Sequence, residues 1–444
     1  MADMKTPIYD FVKEYSAAGV SRFHMPGHKG KEFLGIEKYD ITEIDGADVL
    51  YSPNGIIAKS EDCTSSLFKS AHSFYSAEGS SLAIKAMLAI VCRAKEKPLI
   101  LAGRNAHKSF IYAAALLDFD VAWLGSPACH IAAVSISKDD VRRALRSQLT
   151  MPAAVYLTSP DYLGNMLDIE GIAKVCDSFG VPLLVDNAHG AYLAFLEESR
   201  HPIKLGAAMC ADSAHKTLPV LTGGAYLHVS EKHKGFISGA REMLSLFAST
   251  SPSYPILASL DLCNAYLAGD FPQRLKSAVD TVERVKLKLA SFGIEPLPSE
   301  PLKIVIHASQ YGYSGSQLAA LLARGSVFPE FYDRDYLVLM ASPENKAVDY
   351  ERIIDVFSKI TPRAPFMEKM PPIPAPRPVI SIREAIFSEA ELVRSEEAEG
   401  RILAAPSVCC PPAVPIAVSG ERLSKETVRL FTYYGIEYIS VVVQ

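Results

Sequence analysis

Residues 181–192 read VPLLVDNAHGAY, and this stretch decides the fold. VPLLVD (181–186) is apolar up to its last residue, as expected of a strand buried on both faces of a sheet. It ends on Asp186, followed by Asn187, Ala188, His189 and Gly190. A carboxylate at the end of a buried strand needs a cationic partner. One such partner is a protonated pyridine nitrogen, and the small Ala188 would let a flat ring lie against the backbone. The plainer reading of Asp186 is a helix N-cap. Working outward, AAVYLT (153–158) is a second apolar strand and residues 169–179 form a helix between the two. Further back come a helix over 80–96, a strand PLILA (98–102), a helix over 107–117 and a strand DVAWL (120–124); GGAYLHV (223–229) lies downstream. Strands alternating with helices specify an α/β fold, with a mainly parallel sheet covered on both faces. In such sheets ligands bind beyond the carboxyl ends of the strands, which is where Asp186 falls.

The chain has 444 residues, 49% of them hydrophobic, and a net charge of −5. That length suggests several domains. The absence of a basic block argues against a nucleic-acid partner. No apolar run reaches 18 residues and the first residues do not read as a signal peptide, so neither a membrane span nor secretion is expected. Eight scattered cysteines, including the adjacent Cys409 and Cys410, form neither a disulfide framework nor a zinc pattern, which fits a reduced, cytoplasmic protein. Residues 1–50 read as an irregular arm with one short helix, and 51–265 as the large α/β domain. A long helical segment over 257–291 leads into a smaller α/β domain, 266–360, with strands at 303–308 and 336–341 and helices at 315–323 and 348–359. Seven prolines in 361–378 specify a stiff linker. Residues 379–444 form a C-terminal α+β domain, from a helix over 381–390 to a strand YISVVV.

Four more stretches carry polar groups where chemistry could occur. In Ser76-Ala77-Glu78-Gly79-Ser80-Ser81, a glycine and two hydroxyls open a helix, a combination that favours a phosphate but is also an ordinary cap. Arg104-Asn105-Ala106-His107-Lys108-Ser109 follows the strand PLILA; its plainer reading is a solvated loop and N-cap. Asp212-Ser213-Ala214-His215-Lys216-Thr217-Leu218 precedes Gly223-Gly224; an amine held there near a cationic cofactor and shielded from water would have a lowered pKa and could form a Schiff base, while the plainer reading is a loop lysine. His24-Met25-Pro26-Gly27-His28-Lys29-Gly30 reads as a rigid loop without a third metal ligand, so no metal is expected.

Taken together, HMPGHKG, RNAHKS, DNAHGAY, SAHKTLP and STSPSYPILASLD resemble the Orn/Lys/Arg decarboxylase family of bacteria, as does GRILAA…PPAVPIAVSGE in the tail. The resemblance covers essentially the whole chain. It implies the aspartate aminotransferase-like fold of pyridoxal 5′-phosphate (PLP) enzymes, and decarboxylation of lysine, arginine or ornithine to the corresponding amine, as in polyamine biosynthesis. Lys216 matches the lysine that carries PLP, and Asp186 the carboxylate paired with the pyridine nitrogen. His107 matches the histidine stacked on the ring; Ala188 packs on the other face, with His189 beside it. Ser80 and Ser81 match the phosphate-binding pair, and Ser213 and His215 flank the lysine, His215 being a second candidate proton donor. Ser249 and Thr250 match a stretch that reaches the phosphate of a neighbouring subunit, implying a homodimer or larger assembly with shared sites. His28, Glu330 and Glu421 are candidate substrate contacts, the two glutamates for the distal cation.

The chain begins directly at the arm and so resembles the short forms lacking a receiver-like wing domain. Two departures stand out. Glu78 occupies a position where the family carries Asn, and is expected to point away from the phosphate. Cys410-Pro411-Pro412-Ala413 replaces Tyr-Pro-Pro-Gly near the substrate entrance, which bears on specificity. An aminotransferase or another PLP lyase on the same fold is the alternative, with Arg324 or Arg334 as carboxylate partner.

Overall fold

The computed structural model describes residues 4–125, 130–366, 368–406 and 413–443. The strands are β1 (His72–Ser76), β2 (Leu99–Gly103), β3 (Asp120–Leu124), β4 (Ala154–Thr158), β5 (Leu183–Asp186), β6 (Met209–Asp212), β7 (Ala225–Val229), β8 (Lys303–His307), β9 (Phe331–Tyr332), β10 (Tyr336–Met340), β11 (Ala390–Arg394) and β12 (Tyr438–Val442). A seven-stranded sheet takes the order β1-β7-β6-β5-β4-β2-β3. β5 runs parallel to β6 and β2 to β3, whereas β7 is antiparallel to both of its neighbours. β5 and β6 are buried at every residue, as their apolar composition requires.

The chain divides into two compact units. The first comprises Met1–Lys95, Ala153–Tyr156 and Ile169–Arg274; the second comprises Glu96–Pro152, Leu157–Asp168 and Leu275–Gln444. In the first unit, nine of the 14 residues of helix Gly79–Cys92 are buried. Helix Pro7–Ala17 of the N-terminal arm has no cap from its own N-cap residue Thr6. Its first-turn amides of Ile8 and Tyr9 instead donate to Oδ2 of the buried Asp261, at 2.8 and 2.9 Å. Burial is the main reason the Asp261 carboxyl is pushed up to about 6.

In the second unit, β10 pairs antiparallel with β8 and β9, and β11 with β12. A core of Leu403, Ile416, Leu430, Phe431, Ile439 and Val441 holds the C-terminal part. The proline-rich segment is a bound strap more than a free spacer. Met370 and Ile373 pack on that core, and the amides of Arg363 and Phe366 donate to Tyr311 and Ser309.

Two expectations need correction. The helical segment over 257–291 is two helices, Tyr254–Ala268 and Phe271–Ser291. Gly269 leaves the helical region at ψ −126°, and Pro272 brings no backbone N–H, so it is tolerated only in the first turn of the second helix. The helix expected over 381–390 stops at Phe387, and Ala390–Arg394 becomes β11 beside β12, because cross-strand pairing decides the state of so short a stretch.

Candidate active site

The first unit gathers most of the expected residues at the carboxyl ends of β5 and β6. Asp186 closes β5 and is 2% exposed. Its Oδ1 accepts from the Ala188 amide at 3.2 Å, and its Oδ2 from the hydroxyl of Tyr156 on β4, also at 3.2 Å. Burial raises its carboxyl above the ordinary range, outweighing Lys216 and the two donors, and the charge of Asp212 adds to the rise.

Lys216 lies on a short turn of helix, Ala214–Thr217, directly after β6. Its Nζ is 2.9 Å from Nε2 of His189, a histidine 5% exposed. His215 Nδ1 lies 2.9 Å from the carbonyl oxygen of Gly224; a carbonyl only accepts, so Nδ1 carries the proton in that bond. Ser213 Oγ donates to Ser80 Oγ at 2.8 Å, tying the end of β6 to the first turn of helix Gly79–Cys92, where Ser81 also sits. Gly79 has φ +70°, a conformation that favours glycine, and its amide donates to Gly223. Glu78 turns its carboxylate to the Ser249 amide at 2.7 Å. Ser249 and Thr250 themselves are exposed.

The donor set fits PLP. The Asp186 carboxyl, whose burial is only partly compensated, would be stabilised in its ionised form by a cation at the ring nitrogen's position, two hydroxyls at a helix N-terminus suit a phosphate, and an amine stands beside an imidazole. His28 in the arm places Nε2 3.2 Å from Asp40 and accepts at Nδ1 from the Gly30 amide.

The other expected residues belong to the second unit. His107 caps helix Lys108–Leu117, its Nδ1 accepting from the Ser109 amide at 3.2 Å. Glu330 accepts from the Tyr162 hydroxyl at 2.7 Å. Glu421, 7% exposed, is ion-paired with Arg104 at 3.1 Å and accepts from the Val418 amide. Cys410, Pro411 and Pro412 lie outside the described residues; the Ala413 carbonyl accepts from the Lys108 amide at 3.0 Å. Arg334 pairs with Glu368.

Sequence reasoning missed Tyr156 and the surroundings of Asp212. Asp212 ends β6, fully buried, and accepts from Asn187 Nδ2 at 2.7 Å and from His201 Nε2 at 2.9 Å, with His228 Nε2 at 3.4 Å. His201, Cys210 and Asp212 bring donor atoms of metal-binding type within 4.8 Å of one another. The signal available in the sequence was an acid closing the apolar stretch MCAD, the same pattern as in LLVD.

Comparison with known proteins agrees with the geometry. Residues 6–292 match the model of the Orn/Lys/Arg decarboxylase major domain, and residues 363–437 that of the family's C-terminal domain. The chain is 31% identical to the uncharacterized protein YaaO of Bacillus subtilis (strain 168), over 96% of this chain and 93% of that protein. It is 27% identical to an arginine decarboxylase of the same organism, again over 96% and 93%. Among solved structures, the lysine decarboxylase LdcF of Francisella novicida superposes with a TM-score of 0.83 at 17% identity, covering 99% of this chain and 82% of that one. Among the described residues no helix is long and apolar enough to cross a membrane. The chain thus belongs to the Orn/Lys/Arg decarboxylase family, and is a decarboxylase with the aspartate aminotransferase-like fold whose cofactor is PLP.

Proposed function

We propose that this chain removes the carboxyl group of a basic amino acid (arginine, lysine or ornithine) and releases the corresponding amine and CO2. The observation that carries the reading is the Lys216 amine 2.9 Å from His189, with the buried Asp186 at the end of the neighbouring strand. When bound, PLP supplies the carbonyl that captures the substrate amine and the ring that accepts the electron pair left behind by CO2. The chain does the rest. His189 takes a proton from the Lys216 ammonium and leaves the amine nucleophilic. Asp186 holds a proton at the ring nitrogen. Ser80, Ser81 and Ser213 anchor the phosphate. Lys216, reprotonated by His189 at 2.9 Å, would return a proton to the substrate carbon; His215, held by its bond to the Gly224 carbonyl, is the alternative donor.

His107 keeps the ring-stacking role that the family resemblance gives it. For the distal cation we favour Glu330, whose carboxylate accepts from a neutral hydroxyl, over Glu421, whose charge is already matched by Arg104. Incubation with each of the three amino acids, followed by mass analysis, should show one of them converted to its amine; a keto acid instead would mean transamination. Borohydride reduction of the holoenzyme should fix the cofactor on Lys216, and a label on Lys108 or Lys29 would sink the assignment.

The family resemblance at Ser249 and Thr250, both exposed, supports an assembly with shared sites. Lys216→Ala mixed with a variant carrying bulky replacements of Ser249 and Thr250 should therefore regain activity after subunit exchange. Full activity from a stable monomer would reject sharing.

A further inference from the structure

The hydroxyl of Tyr156 is aimed at the one carboxylate on which the cofactor reading most depends. Tyr156 lies on β4, beside β5 in the sheet, and is fully buried. It donates to Asp186 Oδ2 at 3.2 Å, while the Ala188 amide donates to Oδ1 at 3.2 Å. Each oxygen thus holds one neutral donor and keeps a lone pair for a ring N–H. The other groups acting on Asp186 are the Lys216 cation, on the helical turn after β6, and Asp212 and Cys210 on β6 itself.

We propose that Tyr156 is a positioning residue for the decarboxylation: by donating to Asp186, it keeps the proton shared between that carboxylate and the pyridine nitrogen on the nitrogen. This rests on the PLP reading above. In a dry site the pair has two forms, carboxylate with pyridinium or carboxylic acid with neutral pyridine. Burial disfavours the charged form, and every donor to the carboxylate favours it. Tyr156 is a dependable donor, because burial, reinforced by Asp186, pushes its own phenol well above its ordinary range. An apolar residue of the same shape would fill the space and let the proton drift to Asp186. The ring would then be a weaker electron sink, with no change in substrate contacts.

The test is Tyr156→Phe in the holoenzyme, loaded with PLP labelled with ¹⁵N in the ring. The ring-nitrogen resonance of the wild type should report a pyridinium, and that of the variant should move toward neutral pyridine. Turnover should fall about tenfold, the equivalent of about 1.4 kcal/mol, with KM within about twofold. Should the variant fold poorly, 3,5-difluorotyrosine at position 156 retains the shape and is a stronger donor. It should hold the pyridinium form to higher pH than the wild type. Borohydride labelling of Lys216 is read in parallel. No label there would overturn the PLP reading itself. A label on Lys216 with an unchanged nitrogen resonance in Tyr156→Phe, or no change with the fluorinated residue, would overturn the role of Tyr156 alone.

Discussion

The ends of β5 and β6 carry two aspartates that look alike in the sequence and behave in opposite ways. Both close short apolar strands, and both are buried. Around Asp212, burial opposes ionisation, but the imidazoles of His201 and His228 outweigh it and hold the carboxyl well below the ordinary range. Asn187 adds a donor at 2.7 Å. Around Asp186, burial wins over Lys216, one amide and one hydroxyl, and the carboxyl stays above the ordinary range. Asp212 is a satisfied anion that pins two strands and Asn187 together. Asp186 is less fully compensated, so a cation arriving at the sheet edge would stabilise its ionised form. Desolvation without full compensation is how a folded chain keeps a group ready for a ligand.

The largest effect that would break this contrast concerns turnover. Asp186→Asn should retain the cofactor yet lose roughly 100- to 1000-fold in kcat, as for other groups that stabilise charge developing in a shielded site. Its apoprotein, followed by urea unfolding at pH 7, should be no less stable than the wild type. Wild-type turnover in that variant would remove Asp186 from the site.

Next in size is Asp212→Asn. Breaking a buried ion pair from one side costs about 3 kcal/mol, so the urea midpoint should drop clearly at pH 7, while the holoenzyme at low temperature loses less turnover than Asp186→Asn. A variant as stable as the wild type but equally inactive would mean that Asp212, too, belongs to the chemistry.

A subtler test sharpens the comparison through pH. The folded carboxyl of Asp186 lies above its ordinary value of 3.8, so between the two values the folded apoprotein binds more protons than the unfolded chain. Its contribution is therefore full at low pH and lost as pH rises through the folded value. Asp212 lies below 3.8, so its stabilising contribution is present above that value and lost as pH falls toward the folded one. Relative to wild type, Asp186→Asn should gain apoprotein stability as pH rises above about 4. The deficit of Asp212→Asn should instead shrink as pH falls below about 4. Parallel curves for the two variants would show that the environments do not differ as described. The smallest effect is expected for His228→Gln, about 1 kcal/mol for one weakened partner.

The α/β architecture was legible because apolar runs ending in turn residues mark doubly covered strands: β3 and β4 fall within a residue of their expected bounds. The motifs around Lys216, Asp186 and Ser80 were legible only as a set, through their resemblance to the decarboxylase family, because each alone also reads as an ordinary cap or loop; the structure puts them on a helical turn, a strand end and a helix start. β11 and the break at Gly269 were not legible, because there local propensity is weak and packing decides. The sequence by itself determined which residue types stand at the carboxyl edge of the sheet, since a strand's burial pattern and its terminal residue are local properties. Only the tertiary structure shows how differently the carboxylates that end LLVD and MCAD are compensated. The difference depends on His201, His228, Asn187 and Tyr156, partners brought from elsewhere in the chain. Charge compensation acts through space, and a difference between two buried aspartates cannot be written into four residues of either strand.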